Sequence, residues 1–108
     1  MRQAFVYHNG LLAGLLTEHS SREYTFRYDD LYRADPQLPA ISLTLPKNRA
    51  EYRSEHLFPF FSNMLSEGHN RMVQARIHHL DPDDDFGLLL ATAQSDVPGA
   101  VTIKPAGL

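Results

Sequence analysis

The chain has 108 residues, a formal charge of −3 at pH 7, a pI near 6.0 and no cysteine. That length makes one domain with one modest core, and the charge leaves no basic face to neutralise a run of phosphates, which disfavours autonomous nucleic-acid binding. Missing thiols exclude cysteine nucleophiles, Cys-ligated zinc and a disulfide framework.

No stretch approaches the roughly 18 apolar residues of a membrane span, and the apolar run in MRQAFVYHNG is too short for a secretory signal. The cytoplasm is the expected compartment. In chain order, Gln3 to His8 and Leu11 to Thr17 are apolar-rich and flank Asn9-Gly10, the pair that accepts the positive φ angles of a type I′ hairpin. Glu23 to Tyr28 alternates charged with aromatic or β-branched residues, as a half-buried third strand does. Asp29 and Asp30 can cap a helical turn through Ala34, ended by Pro36 and Pro39. Ile41, Leu43 and Leu45 of AISLTLP fall on one face at period 2, which predicts a short strand stopped by Pro46. Lys47 to Arg53 reads as an exposed loop.

Ser54 is placed to cap a helix from Glu55 to Leu65, with Pro59 near its first turn and Leu57, Phe58, Phe60, Phe61, Met64 and Leu65 making it the most apolar in the chain. A helix from Asn70 to Leu80 would turn Met72, Val73, Ile77 and Leu80 inward and Arg71, Gln74 and His78 outward. A third, from Asp84 to Ala93, would bury Phe86, Leu89 and Leu90. The closing strand is expected over Ala100 to Lys104. This order predicts an α+β domain: a small, mostly antiparallel sheet with an N-terminal hairpin and about three helices.

Several clusters invite a chemical reading. Asp85-Phe86-Gly87 is the magnesium-holding tripeptide of protein kinases, but the glycine-rich loop, strand lysine and catalytic-loop aspartate are missing. Asp83 to Asp85 are better taken as carboxylates at a helix N-terminus. His78, His79, Asp81, Asp83 and Asp85 crowd together like metal ligands, yet adjacent helical histidines point about 100° apart. As a calcium loop the segment lacks its central glycine and final glutamate, having Phe86 and Thr92 there. His8, His19, His56 and His69 lack an evident nucleophile or orienting carboxylate. No nucleotide-loop, zincin or serine-hydrolase motif occurs. No catalytic residue, metal or cofactor is therefore expected. An enzyme built on His69, Glu67 or His78 remains the alternative.

Three stretches in order carry a resemblance: ISLTLP (Ile41 to Pro46), FFSNMLSEGHNR (Phe60 to Arg71) and DFGLLLATAQSDVPGAVTIKP (Asp85 to Pro105). With the opening VYHNGLLAGLL they resemble the N-terminal domain of HipA-type serine/threonine kinases across nearly the whole chain. Asn63, Leu65, Glu67, Gly68 and Arg71 fall on one matching segment. Asp85, Phe86, Leu88 and Leu89 fall on a second, and Asp96, Gly99, Ala100 and Val101 on the last. Ser66 stands where the family commonly has proline.

In that family the domain precedes a kinase core, and this sequence carries none of it. The resemblance thus implies the split arrangement of tripartite HipBST toxin-antitoxin modules, in which the small domain binds and neutralises a shortened kinase, HipT, beside a HipB-like helix-turn-helix protein. A domain excised from an ordinary full-length kinase is a further alternative, which Met1 and an end just past the last strand are expected to disfavour. A scaffold or transcriptional co-regulator joining kinase and HipB is the second reading. Docking alone does not silence a full-length HipA, so a specific element must reach the kinase active site. The expected element is the helix connector Leu65, Ser66, Glu67, Gly68 and His69.

Overall fold

Asn9 and Gly10 take φ angles of 51° and 78°, the positive pair a type I′ turn demands, and they join β1 (Arg2–His8) to β2 (Leu11–Ser20). β3 (Glu23–Tyr28) continues the meander, α1 (Asp30–Ala34) follows, and β4 (Glu51–Ser54) pairs back onto β3. After α2 (Pro59–Ser62), α3 (Gly68–Ile77) and α4 (Asp85–Thr92), β5 (Val101–Pro105) closes the sheet beside β1. The strand order is β4-β3-β2-β1-β5, antiparallel throughout. This computed structural model describes residues 1–65, 68–92 and 101–106, and of His69 the backbone alone.

The fold is the expected α+β class, and the core follows strand alternation. Ala4 and Val6 of β1, Leu16 of β2, Tyr24, Phe26 and Tyr28 of β3 and Ile103 of β5 are buried together with Phe61, Phe86, Leu88 and Leu89 from the helices. Each fully buried large apolar side chain contributes about 1.5–3 kcal/mol. Phe26 is the hub, with ring centroids 4.9 Å from Tyr28 and 5.7 Å from Phe61. The ring of Phe26 also explains Gly14, where a Cβ would lie 2.7 Å from it and 2.5 Å from the Arg27 carbonyl.

Four expectations fail, each for an identifiable reason. Ile41 to Leu45 forms a turn with one isolated bridge, Ser42 to Leu45, instead of a strand. The Tyr28 hydroxyl takes the ladder groups, accepting from the Ile41 N–H at 3.1 Å and donating to the Leu45 carbonyl. Ile41 and Leu45 are buried, but Leu43 is 100% exposed. The expected loop to Arg53 ends early, because Glu51 to Arg53 already pair with β3.

The helix foreseen from Glu55 starts only at Pro59. Proline disfavours helical geometry in the residue before it, and Phe58 is extended at φ −56°, ψ 136°. Ser54 ends a strand, and its hydroxyl accepts from the His56 N–H at 3.1 Å. Leu57, Phe58, Phe61 and Leu65 are nonetheless core, with Phe60 and Met64 packed against them.

The fourth failure is the facing of α3. Met72, Val73 and Ile77 are exposed, while Ala75 is buried. Arg71 decides this, because its Nε donates to the Pro82 carbonyl at 2.6 Å and its guanidinium pairs with Asp85 at the start of α4. That rotates the 71, 74, 75 face inward.

The helix ends in a Schellman motif. The His79 N–H bonds to the Arg76 carbonyl and the Leu80 N–H to that of Ala75, with His79 at φ 56°. An L-residue is strained there, so His79→Gly should raise stability by up to about 1 kcal/mol, read as a higher urea midpoint. A lower midpoint would show that the histidine side chain compensates for the strain.

α4 matches expectation most closely. Its N-terminus is capped by Asp84, whose carboxylate accepts from the Gly87 N–H at 3.1 Å. Phe86 and Leu89 are buried as foreseen, Leu88 joins them, and Leu90 is partly buried. Ala93, Asp96, Gly99 and Ala100, the latter foreseen as the first residue of the closing strand, lie outside the described residues.

Candidate protein-binding site

The connector expected to meet the kinase runs between two fixed points. On one side, α2 is wedged into the core by Phe61, which contacts Phe58, Phe60 and Phe26 at centroid distances of 6.3, 5.1 and 5.7 Å. Successive tight-turn bonds, Met64 N–H to Phe61 O at 3.1 Å and Leu65 N–H to Ser62 O at 3.1 Å, then deliver Leu65 into the core at 8% exposure. On the other side, Arg71 fastens the first turn of α3 to α4.

Of the five residues foreseen, Leu65 is a core anchor and Gly68 is the exposed first residue of α3, with φ 61° and no neighbour within 4 Å of a built Cβ. Ser66 and Glu67 lie outside the described residues, as does the side chain of His69. Asn63 is exposed and closes α2 as its C-cap. Arg71, which also falls on the family-like segment, is the staple and not a free cation.

Sequence reasoning missed what adjoins the connector. Met72, Val73 and Ile77 are 54%, 40% and 65% exposed, an apolar stripe at helical spacing with the exposed Arg76 among them. The signal was present in the sequence: Arg71 and Asp85 can reach each other only if that stripe faces out.

The charged cluster of the fold lies elsewhere. The Arg2 guanidinium donates to Glu18 at 2.8 Å and to both Asp84 oxygens at 3.0 and 2.8 Å, and sits 5.2 Å from the Phe86 ring centroid. Its hydrogen bonds to Asp84 and Glu18 raise the Arg2 pKa further, and Arg2 in turn holds the Asp84 carboxyl below the usual carboxylate range. Burial, with the Glu18 hydrogen bond, pushes Tyr24 up. This is a strap between hairpin and α4, with every partner used.

The other chemically suggestive residues are occupied structurally as well. Asp85 pairs with Arg71, the Asp81 carboxylate accepts from the Asp83 N–H at 2.9 Å, and His78 and His79 are exposed beyond the end of α3. His8 and His19 meet the hydroxyls of Tyr32 and Thr25 at 3.3 and 3.0 Å. Among the described residues, no three His, Asp or Glu side chains converge as metal ligands, and no helix is long and apolar enough to cross a membrane.

Sheet and helices define a small α+β module that leaves an apolar stripe of α3 exposed. The sequence profile described as the HipA N-terminal domain matches residues 4–104. The chain belongs to that family. A solved structure titled "N-terminal domain of HipA toxin" superposes with a TM-score of 0.71 at 25% identity, covering 99% of this chain and 94% of that one.

Two kinds of relative stand out. "Putative kinase Y4mE" of Sinorhizobium fredii is 29% identical over 100 residues, which are 93% of this chain and 24% of the kinase. An "Uncharacterized protein" of Haemophilus influenzae is 31% identical over 104 residues, 96% of this chain and 92% of that protein. The chain thus spans about a quarter of the kinase and nearly all of the small protein.

Proposed function

We propose that this chain is the antitoxin of a HipBST-type module, a HipS-like cytoplasmic protein that binds and neutralises a HipT-type serine/threonine kinase without catalysing a reaction itself. The observation that carries the reading is the pair of relatives above. The same domain makes up about a quarter of a kinase in one and nearly the whole protein in the other.

Detachment changes the physics of control. A covalently attached domain sits at high effective concentration beside its kinase and cannot be titrated away, whereas a separate chain occupies the kinase in proportion to its own level. Neutralisation then requires a preference for an inactive kinase arrangement, or obstruction of its ATP or substrate site. In this reading the Leu65 to His69 connector does this, and buried Leu65 and the Arg71 staple fix the residues that flank it. A HipB-like helix-turn-helix protein completes the proposed assembly.

The test is co-expression with the HipT-type kinase of the same genome. Wild-type chain should restore growth. A chain with residues 66–69 replaced by a Gly-Ser linker, keeping buried Leu65, should still copurify with the kinase yet leave it toxic. Toxicity persisting beside a stable wild-type complex would end the antitoxin reading; unchanged protection by the linker variant would remove the connector from it.

A further inference from the structure

The sheet has a second apolar surface, on the face turned away from α2 and α4. Register places Lys104, Phe5, Leu15 and Arg27 in one row across β5, β1, β2 and β3, and Thr102, Tyr7 and Leu12 in the next. Phe5 and Leu12 each remain 37% exposed. Phe5 meets Tyr7 edge-on at 6.5 Å, and Lys104 Nζ lies 5.3 Å from the Tyr7 ring centroid.

A groove of about 200 Å³ opens among Phe5, Leu12, Leu15, Arg27, Asp29 and Asp30. Its charges are largely spent: Asp29 accepts from the Tyr32 N–H at 3.2 Å, and Asp30 lies 3.8 Å from Arg27. Lys104 differs, since among the described residues it has no ion pair.

We propose that this face grips the kinase: an apolar surface of the kinase body, with a carboxylate opposite Lys104, covers Phe5, Tyr7, Leu12 and Leu15 and seats one side chain in the groove. The proposal rests on the antitoxin reading above and adds the surface that provides affinity. The occupant follows from the long relative. The match covers 24% of the S. fredii putative kinase Y4mE. Because the family is an N-terminal domain, the rest of such a kinase follows the strand equivalent to β5. β5 is the edge strand of the sheet and carries Lys104. A body tethered there meets this edge of the face with the shortest reach.

Aromatic anchors beside a pocket, with a cation at the rim, are what binding hot spots are built from. Grip and silencing are then separate. α4 contacts β5 from the other side and lies against α3. A body clasping the β5 edge therefore reaches the outer face with one part and the α3–α4 side with another.

The experiment titrates the full-length chain into the purified HipT-type kinase at low and high salt. Phe5→Arg and Leu12→Arg should raise Kd at least about thirtyfold with thermal melting unchanged. Lys104→Glu should raise it severalfold at low salt, with the difference shrinking at high salt. The linker variant of residues 66–69 should bind normally and fail to inhibit.

Unchanged Kd for folded Phe5→Arg and Leu12→Arg overturns the assignment of this face and leaves the antitoxin reading standing. Failure of the wild-type chain to bind the kinase overturns that reading, and this proposal with it. If Phe5→Arg does not fold, Leu12→Arg and Lys104→Glu decide. A wild-type homodimer in light scattering that Leu12→Arg dissolves, with kinase affinity unchanged, gives the face to a second copy and overturns the proposal.

Discussion

Replacing Phe61 with alanine is expected to cost about 3–5 kcal/mol, a large part of the 5–15 kcal/mol that holds a domain of this size together. Phe61 is fully buried and touches Phe26, Phe58 and Phe60, so truncation empties the junction between sheet and helices. α2 is too short to persist by its own hydrogen bonds; it exists because this ring is docked. Urea unfolding should show the midpoint collapse, whereas Phe61→Leu should retain much of the stability. A loss below about 1 kcal/mol for the alanine variant would mean that α2 is not the keystone.

The second large effect concerns the strap. Arg2→Ala removes three charge-assisted hydrogen bonds and strands the Glu18 and Asp84 carboxylates, which are 15% and 26% exposed. Because the cluster is partly solvated, the expected loss is about 2 kcal/mol and not the larger figure of a fully buried pair. Its pH dependence has a definite sign. Arg2 holds the Asp84 carboxyl below its ordinary value in the folded state. That contribution is complete above the unfolded carboxylate value near pH 4 and fades as pH falls through the lower folded value. Wild type and Arg2→Ala should therefore differ most near neutrality and converge as the pH falls below about 4. A gap that is constant with pH would show that Arg2 acts through its packing on Phe86 and not through charge.

Legibility from sequence followed the range of the forces involved. The hairpin, β3 and α4 were readable because Asn9-Gly10, the EYTFRY alternation and the aspartates before Phe86 act within a few residues of themselves. Ile41 to Leu45 has strand periodicity, but the Tyr28 hydroxyl, 13 residues away from Ile41, takes the groups a ladder would use. α3 was foreseen as a helix and given the wrong face, because hydrophobic spacing favoured Val73 and Ile77 while the Arg71 to Asp85 pair, 14 residues apart, favoured the opposite rotation. At the candidate site, the family-like segment pointed to the connector. It said nothing of the apolar stripe beside it or of the sheet face beyond, both of which exist only once the chain is folded.

The irregular stretch 35–50 holds one more consequence. It is fastened by side chains: Tyr28 on Ile41 and Leu45, Tyr32 on the Pro39 carbonyl at 2.7 Å, Tyr52 on that of Pro46 at 2.6 Å, and Lys47 Nζ on those of Asp35 and Leu38 at 2.5 and 2.7 Å. Burial pushes the Tyr28 and Tyr32 hydroxyls up, so they stay protonated donors well into alkaline solution. Amide deuteration should therefore find the Ile41 N–H slow for a residue outside any ladder, opening together with α1 as one cooperative unit. Acetylation of Lys47 would loosen that unit at a distance from every strand, leaving the sheet intact while the stretch becomes open to proteases.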